Sequence, residues 1–458
     1  MAFHWHPGEQ IAIGRFLAKW TFLASLAGVA GGVASAIFLI SLDLATDTRL
    51  AFPWLFYFIP LGGLIVGLLY YFLGKEVEKG NNLLLEEIHN PRNGIPLKMS
   101  PLILATTVIT HLFGGSAGRE GTAVQMGGSL ASALARFFNL DPRQSGILLM
   151  AGMSAGFGAV FGTPLAGMIF GLELLSVGHL RYDALIPCLI ASTIGDLTCQ
   201  TLGVHHGHYE VATIPTMNLF LLGKVLLASI AFALASLMFG ELTHGFQWLF
   251  SRLIPWKPIR PFVGGIFLIL LTAIAGTRDY LGLGLPMIYH AFSPEGVPPQ
   301  AFALKILFTA LTLGSGFKGG EVTPLFFVGA TLGSALAVPL GLPHDMMAAV
   351  GFAAVFAGAS NTPLASTIMG IELFGSPLAI YLALACCSSY VWSGHRGIYL
   401  SQKIVTPKSD SSLIPAETTL DHLRKSLNNI SHSEFRGKNT FIDSGDDRNF
   451  QQDNGRQG

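Results

Sequence analysis

A chain of 458 residues that is 51% apolar and only 12% charged cannot clothe a soluble domain, which carries roughly twice that charge. Its positive mean hydropathy, and several apolar stretches near the ~20 residues needed to cross a bilayer, predict a multi-pass membrane protein. A net charge of zero argues against nucleic acid as a partner.

The elements follow in chain order. Met1–Pro7 contains two histidines and a tryptophan, and the next apolar run, Phe22–Ile40, is too long for a signal-peptide core. It is expected to remain as the first span, with Arg15 and Lys19 at its start. Leu55–Leu73 is the second span, and Lys75, Lys79, Arg92 and Lys98 fill the loop behind it. The apolar run Leu102–Phe113 leads into a glycine-rich stretch at Gly114–Gly121, and Pro164 starts another apolar run. Leu219–Met238 is interrupted only by Lys224; Arg252, Lys257 and Arg260 occupy a loop before the shorter Phe262–Ala275. A second glycine-rich stretch, Gly314–Gly320, precedes Leu325–Leu340, and Pro363 opens a further apolar run. The loops Val204–Pro215 and Thr277–Gln300 carry almost no Lys or Arg. The positive-inside rule therefore assigns the N-terminus and the Lys75–Lys98 and Arg252–Arg260 loops to the cytoplasm. The expected location is the cell (inner) membrane, with both termini cytoplasmic. After Ser401 the composition turns polar: residues 401–458 read as a cytoplasmic tail, disordered except for a short amphipathic helix at Thr419–Ile430 capped by Thr418. Cys188, Cys199, Cys386 and Cys387 lie in or beside apolar stretches and read as buried thiols.

The chain repeats itself. Gly162-Thr163-Pro164-Leu165-Ala166 through Glu173 recurs as Asn361-Thr362-Pro363-Leu364-Ala365 through Glu372, 199 residues on. Gly62-Gly63 recurs as Gly264-Gly265, 202 residues on, and Glu120 as Glu321, 201 residues on. Three separated segments at nearly one offset define two tandem halves, about 15–203 and 217–397, within a transport domain of residues 1–400. Transporters built from repeats bind substrate near the bilayer midplane, on broken helices. Irregular backbone at that depth must be buried in protein or line a cavity. Close helix packing alone accounts for Gly28–Gly32 and Gly127-Gly128, but it requires no ionisable pair such as Arg119-Glu120.

A helix N-terminus preceded by glycines offers free N–H groups and partial positive charge to an anion. Glu120, at such a start, can occupy the anion position itself and leave it when protonated, which would couple a proton to the anion. Capping its own helix, or pairing with Arg119, is the plainer alternative. Gly319-Gly320-Glu321-Val322-Thr323-Pro324 presents a second helix start to the same region. Glu321 there is a second proton site or an ordinary helix-start carboxylate, and the Thr323 hydroxyl an ion ligand or a cap.

Gly118-Arg119-Glu120-Gly121, Gly319-Gly320-x-x-x-Pro324 and the two-half layout resemble the CLC chloride channel and transporter family over nearly all of Arg15–Ser401. The resemblance implies an all-α membrane fold of two inverted-topology repeats with broken, tilted helices. It further implies a homodimer with one pathway per subunit, no enzymatic activity and no cofactor. Glu120 takes the position of the family's external gate, with Gly118, Arg119 and Gly121 around the anion. Three departures narrow the match: Thr122 replaces the proline after Glu-Gly, Gly80-Asn81-Asn82 stands where the family's chloride-holding serine motif lies, and Val322 replaces its phenylalanine. These changes are similar to the bacterial branch that exchanges fluoride for protons. That likeness gives Asn81, Val322, Glu321 and Thr323 site roles, makes Tyr399 the central tyrosine, and leaves Gly80, Asn82 and Thr122 as peripheral candidates. Fluoride is small and a strong hydrogen-bond acceptor, so the amide of Asn81, the phenol of Tyr399 and the hydroxyl of Thr323 suit it. Asn81 in Gly-Asn-Asn also fits plain turn chemistry. A chloride/proton antiporter and a passive anion channel are the alternatives.

Other signals rank lower. Gly114-Gly115-Ser116-Ala117-Gly118 matches the Gly-x-Ser-x-Gly hydrolase pattern, but that pattern requires a preceding strand and a base in reach. His205-His206-Gly207-His208 with Glu210 suggests a solvated loop more than a metal site. Glu173 and Glu372, matched late in their helices, suggest structural parts of the repeat more than proton ligands.

Overall fold

A computed structural model describes residues 7–207, 209–409 and 417–426. Each half builds eight helices. The first half has α1 (Pro7–Ala51), α2 (Ile59–Leu73), α3 (Asn81–His89), α4 (Met99–Leu112), α5 (Glu120–Phe137), α6 (Pro142–Phe161), α7 (Pro164–Glu173) and α8 (Leu185–Thr201). The second has α9 (Leu219–Leu253), α10 (Arg260–Ala275), α11 (Leu285–Ala291), α12 (Ala301–Gly314), α13 (Val322–Leu340), α14 (His344–Ser360), α15 (Pro363–Phe374) and α16 (Ala379–Trp392). Seven helical stretches among the described residues are long and apolar enough to cross a membrane, and this is a multi-pass membrane protein. α1, with 45 residues, is about 65 Å long at 1.5 Å per residue, twice the hydrocarbon thickness, so it must tilt or project beyond it. α4, α7, α12 and α15 have 10–14 residues each and cannot span alone. Each has at least one buried end, at Met99, Glu173, Ala301 and Phe374.

The loop expectation is corrected at two places. The stretch after the second span contains α3, and Thr277–Gln300 contains α11. Both are short, and their apolar positions pack on neighbours rather than forming a span-length run. That is why hydropathy passes over them.

The halves run in opposite directions and grip each other through matched residues. α2 and α10 cross where Gly63 and Gly265 remove bulk. A methyl on Gly63 would lie 2.5 Å from the Pro261 carbonyl, and one on Gly265 would lie 2.8 Å from Pro60. Inside each half the same device joins neighbours: Gly127 meets Gly152 between α5 and α6, and Gly329 meets Gly351 between α13 and α14. Small residues let backbones close up where lipid supplies no hydrophobic drive. Gly28 and Gly32 do so against α8. An aromatic core joins the halves where Phe161 meets Phe326 at 5.1 Å; beside it Phe326 stacks on Phe352 at 4.0 Å and Phe157 on Phe170 at 4.2 Å.

Glu173 and Glu372 show the twofold relation most directly. The Glu173 carboxylate accepts the N–H groups of Leu364 (3.1 Å) and Ala365 (2.8 Å) at the start of α15. Glu372 accepts those of Leu165 (3.0 Å) and Ala166 (2.8 Å) at the start of α7. Pro164 and Pro363 open those helices because a first-turn residue needs no N–H. Each glutamate thus caps the other half's helix, the structural role the repeat suggested.

The positive loops share one face: Lys257 pairs with Glu78 at 2.8 Å. On the opposite face the poorly charged loops meet, where Tyr209 stacks on Tyr289 at 5.0 Å. His206 there is no solvated loop residue; its ring lies 3.6 Å from Asp196 and is largely buried. His205 and Glu210 are exposed, as a solvated loop requires, and His208 lies outside the described residues. Cys387 is exposed while Cys188, Cys199 and Cys386 are buried. Adjacent helix positions point about 100° apart, so Cys386 and Cys387 cannot both face inward.

Past Ser401 the chain is still packed. Ser176–Val177 (β1), Lys403–Ile404 (β2) and Thr418–Thr419 (β3) form a small sheet in the order β1-β2-β3. A helical segment then runs over 420–426. Its cap is Thr419, the last residue of β3, whose hydroxyl accepts the His422 N–H at 3.3 Å, one position after the expected Thr418. The remainder of the expected helix and tail, and 410–416, lie outside the described residues.

Candidate functional site

Two helix breaks meet at the centre of the protein. α4 ends at Leu112 and α5 begins at Glu120; α12 ends at Gly314 and α13 begins at Val322. Between these ends the two irregular strands cross antiparallel. Gly118 N–H donates to the Gly320 carbonyl at 2.6 Å, and Gly320 N–H donates back to Gly118 at 2.7 Å. Reciprocal pairing of this kind requires inverted halves. It also requires the glycines: a methyl on Gly118 would lie 2.8 Å from Pro324 Cδ, and one on Gly320 would lie 3.0 Å from the Gly121 nitrogen.

Glu120 is completely buried. Its carboxylate does not cap its own helix. It reaches across the crossing to the start of α13, where Oε2 accepts the Thr323 N–H at 2.9 Å and the Thr323 hydroxyl at 2.5 Å. The Arg119 N–H adds a longer contact at 3.3 Å, and Arg119 Nε lies 3.4 Å from Oε1. A carboxylate oxygen therefore stands where a free anion would find an N–H, an O–H and a helix N-terminus. The pairing with Arg119 is real but long, and the two Thr323 contacts are the short ones. Val322, the first residue of α13, is buried in the same region.

Asn81 is the first residue of α3, after Gly80, whose φ of 57° and ψ of −128° suit only glycine. The Asn81 amide comes close to α5: a methyl on Gly121 would lie 3.1 Å from its Nδ2. Its Oδ1 is buried without a hydrogen-bond partner. Gln125, one turn along α5, shows the same feature: it is 5% exposed, and Oε1 is unpartnered. Sequence reading passed over Gln125, since a lone glutamine in an apolar helix carries no pattern. Its position five residues after Glu120 was the one available signal.

A cavity of about 480 Å³ opens beneath the crossing and is lined by Asn81, Gln125, Glu321 and Tyr399 among others. Tyr399 is 2% exposed and is held by its neighbour Ile398, whose N–H donates to Ala359 at the end of α14 at 2.9 Å. Glu321 borders this cavity, half-buried. Among the described residues its carboxylate meets neither a hydrogen-bond donor nor a cation within 4.0 Å. The two matched glutamates thus differ: Glu120 is fully engaged above the crossing, and Glu321 is unengaged at the cavity wall.

Two peripheral candidates bond to other parts of the chain. Asn82 turns to the chain after α16 and accepts the Ser401 N–H at 2.9 Å. Thr122 turns to α4 and meets the Thr107 hydroxyl at 3.0 Å. Thr122 is buried in packing, while Asn82 also lines the cavity. Ser116 follows α4 rather than a strand, and its hydroxyl meets Thr309 at 2.9 Å. Both nitrogens of His111 face backbone carbonyls, of Thr107 and Ala117. Ser116 therefore has neither the strand–turn–helix setting nor the base that nucleophilic catalysis needs.

Inverted repeats, half-length helices and a midplane crossing that holds an anionic group define a membrane transport protein of the broken-helix class. The family model described as voltage gated chloride channel matches residues 62–394, and the chain belongs to that family. It is 47% identical over 423 residues, 91% of this chain and 93% of the relative, to the chloride/fluoride channel protein of Pseudomonas syringae pv. tomato. It is 26% identical over 392 residues to an H(+)/Cl(−) exchange transporter of Vibrio cholerae, covering 77% of this chain and 81% of that one. A solved CLC-type fluoride/proton antiporter superposes with a TM-score of 0.82 at 33% identity, over 85% of this chain and 98% of that one. A slow cyanobacterial Cl−/H+ antiporter shares the fold with a TM-score of 0.73 at 20% identity, over 83% and 96% of the two chains.

Proposed function

We propose that this protein exports fluoride across the cell membrane in exchange for protons, with Glu120 as the gate. The observation that carries this reading is the Glu120 carboxylate held by the N–H and hydroxyl of Thr323. Protonated, Glu120 loses its charge and competes poorly for those donors. A free anion can then take them, and proton and anion movement become linked. Glu321, without a partner and open to the cavity, is suited to exchange a proton with water on that side.

Fluoride is favoured over chloride by the donors at hand. The Thr323 hydroxyl, the unengaged Asn81 amide and the Tyr399 phenol are groups that a small, strongly hydrated acceptor needs in place of its water. A larger, weaker acceptor leaves such donors poorly paired. The fluoride/proton antiporter at 33% identity supports the same choice. On this reading the cavity and both termini face the cytoplasm, and the protein is a homodimer with one pathway per subunit.

The test is proteoliposomes loaded with fluoride or with chloride, recording anion efflux and internal pH together. Fluoride efflux with opposed proton movement, and much slower chloride efflux, is the expected result. Equal rates for the two anions would favour a chloride/proton antiporter, and fluoride efflux without proton movement a channel.

A further inference from the structure

The transport reading uses Glu120, Glu321 and the donors around them. The cavity below holds one more charge. Three lysines line it: Lys79, Lys318 and Lys425. Lys79 is engaged by Glu86 at 2.6 Å and Lys425 by Asp421 at 2.5 Å. Glu78, another carboxylate on the wall, is held by Lys257 at 2.8 Å. Lys318 alone of the three has no carboxylate within 4.0 Å among the described residues. Its ammonium sits 4.2 Å over the ring of Tyr70, an attraction that positions a cation without cancelling its charge.

Its place in the chain is equally specific. Lys318 lies between α12 and α13, immediately before the Gly319-Gly320 pair that leads to Glu321 and the Thr323 donors. It also lines a second cavity of about 410 Å³, so it borders both hollows on this face. The other charges on the main cavity wall are held in short-range pairs, with Glu78 also attracting Lys318 from beyond 4.0 Å. What remains is the ammonium of Lys318 and the carboxylate of Glu321. Without Lys318, the one charge left facing an anion at short range without a partner of its own is the carboxylate of Glu321.

We propose that Lys318 is an anion-receiving residue of the pathway, a subsite that draws a small hydrated halide from the cavity toward the Glu120–Thr323 position. This rests on the anion-transport reading above. The alternative is a lysine that only packs on Tyr70. The two differ in what they do to the fluoride dependence of transport.

The experiment measures initial fluoride efflux against fluoride concentration in proteoliposomes, at low and at physiological ionic strength, for wild type, K318M, K318Q and K318R. Loss of one charge at short range in partly hydrated protein is expected to raise KM roughly tenfold at low salt, with a much smaller fall in maximal rate. Salt should narrow the gap, because screening weakens the wild-type attraction. K318R, which keeps the charge, is expected to restore most of the affinity, and K318Q to behave as K318M does should the latter not purify folded. An unchanged KM in the neutral variants, or an equal defect in folded K318R, overturns the subsite. Running the series with chloride separates this proposal from the fluoride reading. If wild type moves chloride as well as fluoride and K318M raises KM for both, the subsite stands and the fluoride preference falls.

Discussion

Glu120 is a charge without water, and its cost is offset by few contacts. Bonds to a charged acceptor contribute about 1.5–3 kcal/mol each, and the two from Thr323 are its shortest. Thr323→Ala removes the hydroxyl and leaves the N–H, so it is predicted to loosen the gate and raise the number of anions moved per proton. Thr323→Ser keeps the hydroxyl and is expected to preserve coupling; parallel recordings of anion and proton flux compare the two. Glu120→Gln cannot cycle a proton and is predicted to abolish proton movement driven by a fluoride gradient. Proton flux at the wild-type level would remove Glu120 from the mechanism. Asn81→Ser replaces an amide donor with a shorter hydroxyl and is expected to shift the fluoride-to-chloride ratio toward chloride. An unchanged ratio would leave Asn81 as the first residue of α3 and nothing more.

At the scale of elements, the half-length helices depend on partners for their ends. A helix N-terminus facing lipid or protein instead of water needs an acceptor or must forfeit several kcal/mol. α7 and α15 obtain theirs from Glu372 and Glu173, each from the opposite half. Glu173→Gln sets an amide NH₂ against one of two N–H donors and is predicted to destabilise the fold by about 1–3 kcal/mol. The measurement is thermal unfolding in detergent, where a fall of a few degrees is expected. Coupling ratios measured on the surviving folded protein should match wild type; a changed ratio with unchanged stability would instead make Glu173 a proton ligand. These caps were legible as a repeat but not as bonds. The sequence aligned Glu173 with Glu372, and only the inverted packing turned each toward the other's helix.

For the whole molecule, the crossing at Gly118 and Gly320 stands between the Glu120 carboxylate and the cavity lined by Tyr399. The loops rich in Lys and Arg gather on the cavity side, joined by Lys257 and Glu78; the loops around Tyr209 and Tyr289 gather on the other. The positive-inside rule predicts that the cavity faces the cytoplasm. In a background with the exposed Cys387 changed to serine, a cysteine at Arg92 is predicted to react with a membrane-impermeant maleimide only after the cells are opened. A cysteine at His205 is predicted to react in intact cells, and the reverse pattern would invert the protein. Tyr399→Ala removes the ring at the cavity wall and is expected to loosen coupling, read as fluoride efflux exceeding its proton count; wild-type coupling would exclude Tyr399 from the gate.

Much of this protein was decided by local pattern. The apolar runs, the two halves and the breaks at Gly114–Gly121 and Gly314–Gly320 follow from hydropathy, repetition and glycine placement, because each depends on neighbours in sequence. Hydropathy did not reveal α3 and α11, whose short faces are apolar only with respect to their partners. The sequence marked Glu120 as a charge in the wrong solvent, but it gave its own helix as the place to bind. Tertiary structure decided otherwise: the halves are inverted, so their broken ends face each other, and Glu120 rests on the donors of α13. Gln125 and Lys318 depend on that packing entirely. An amide without a partner and a lysine without a counter-ion acquire meaning only when the surrounding groups are known.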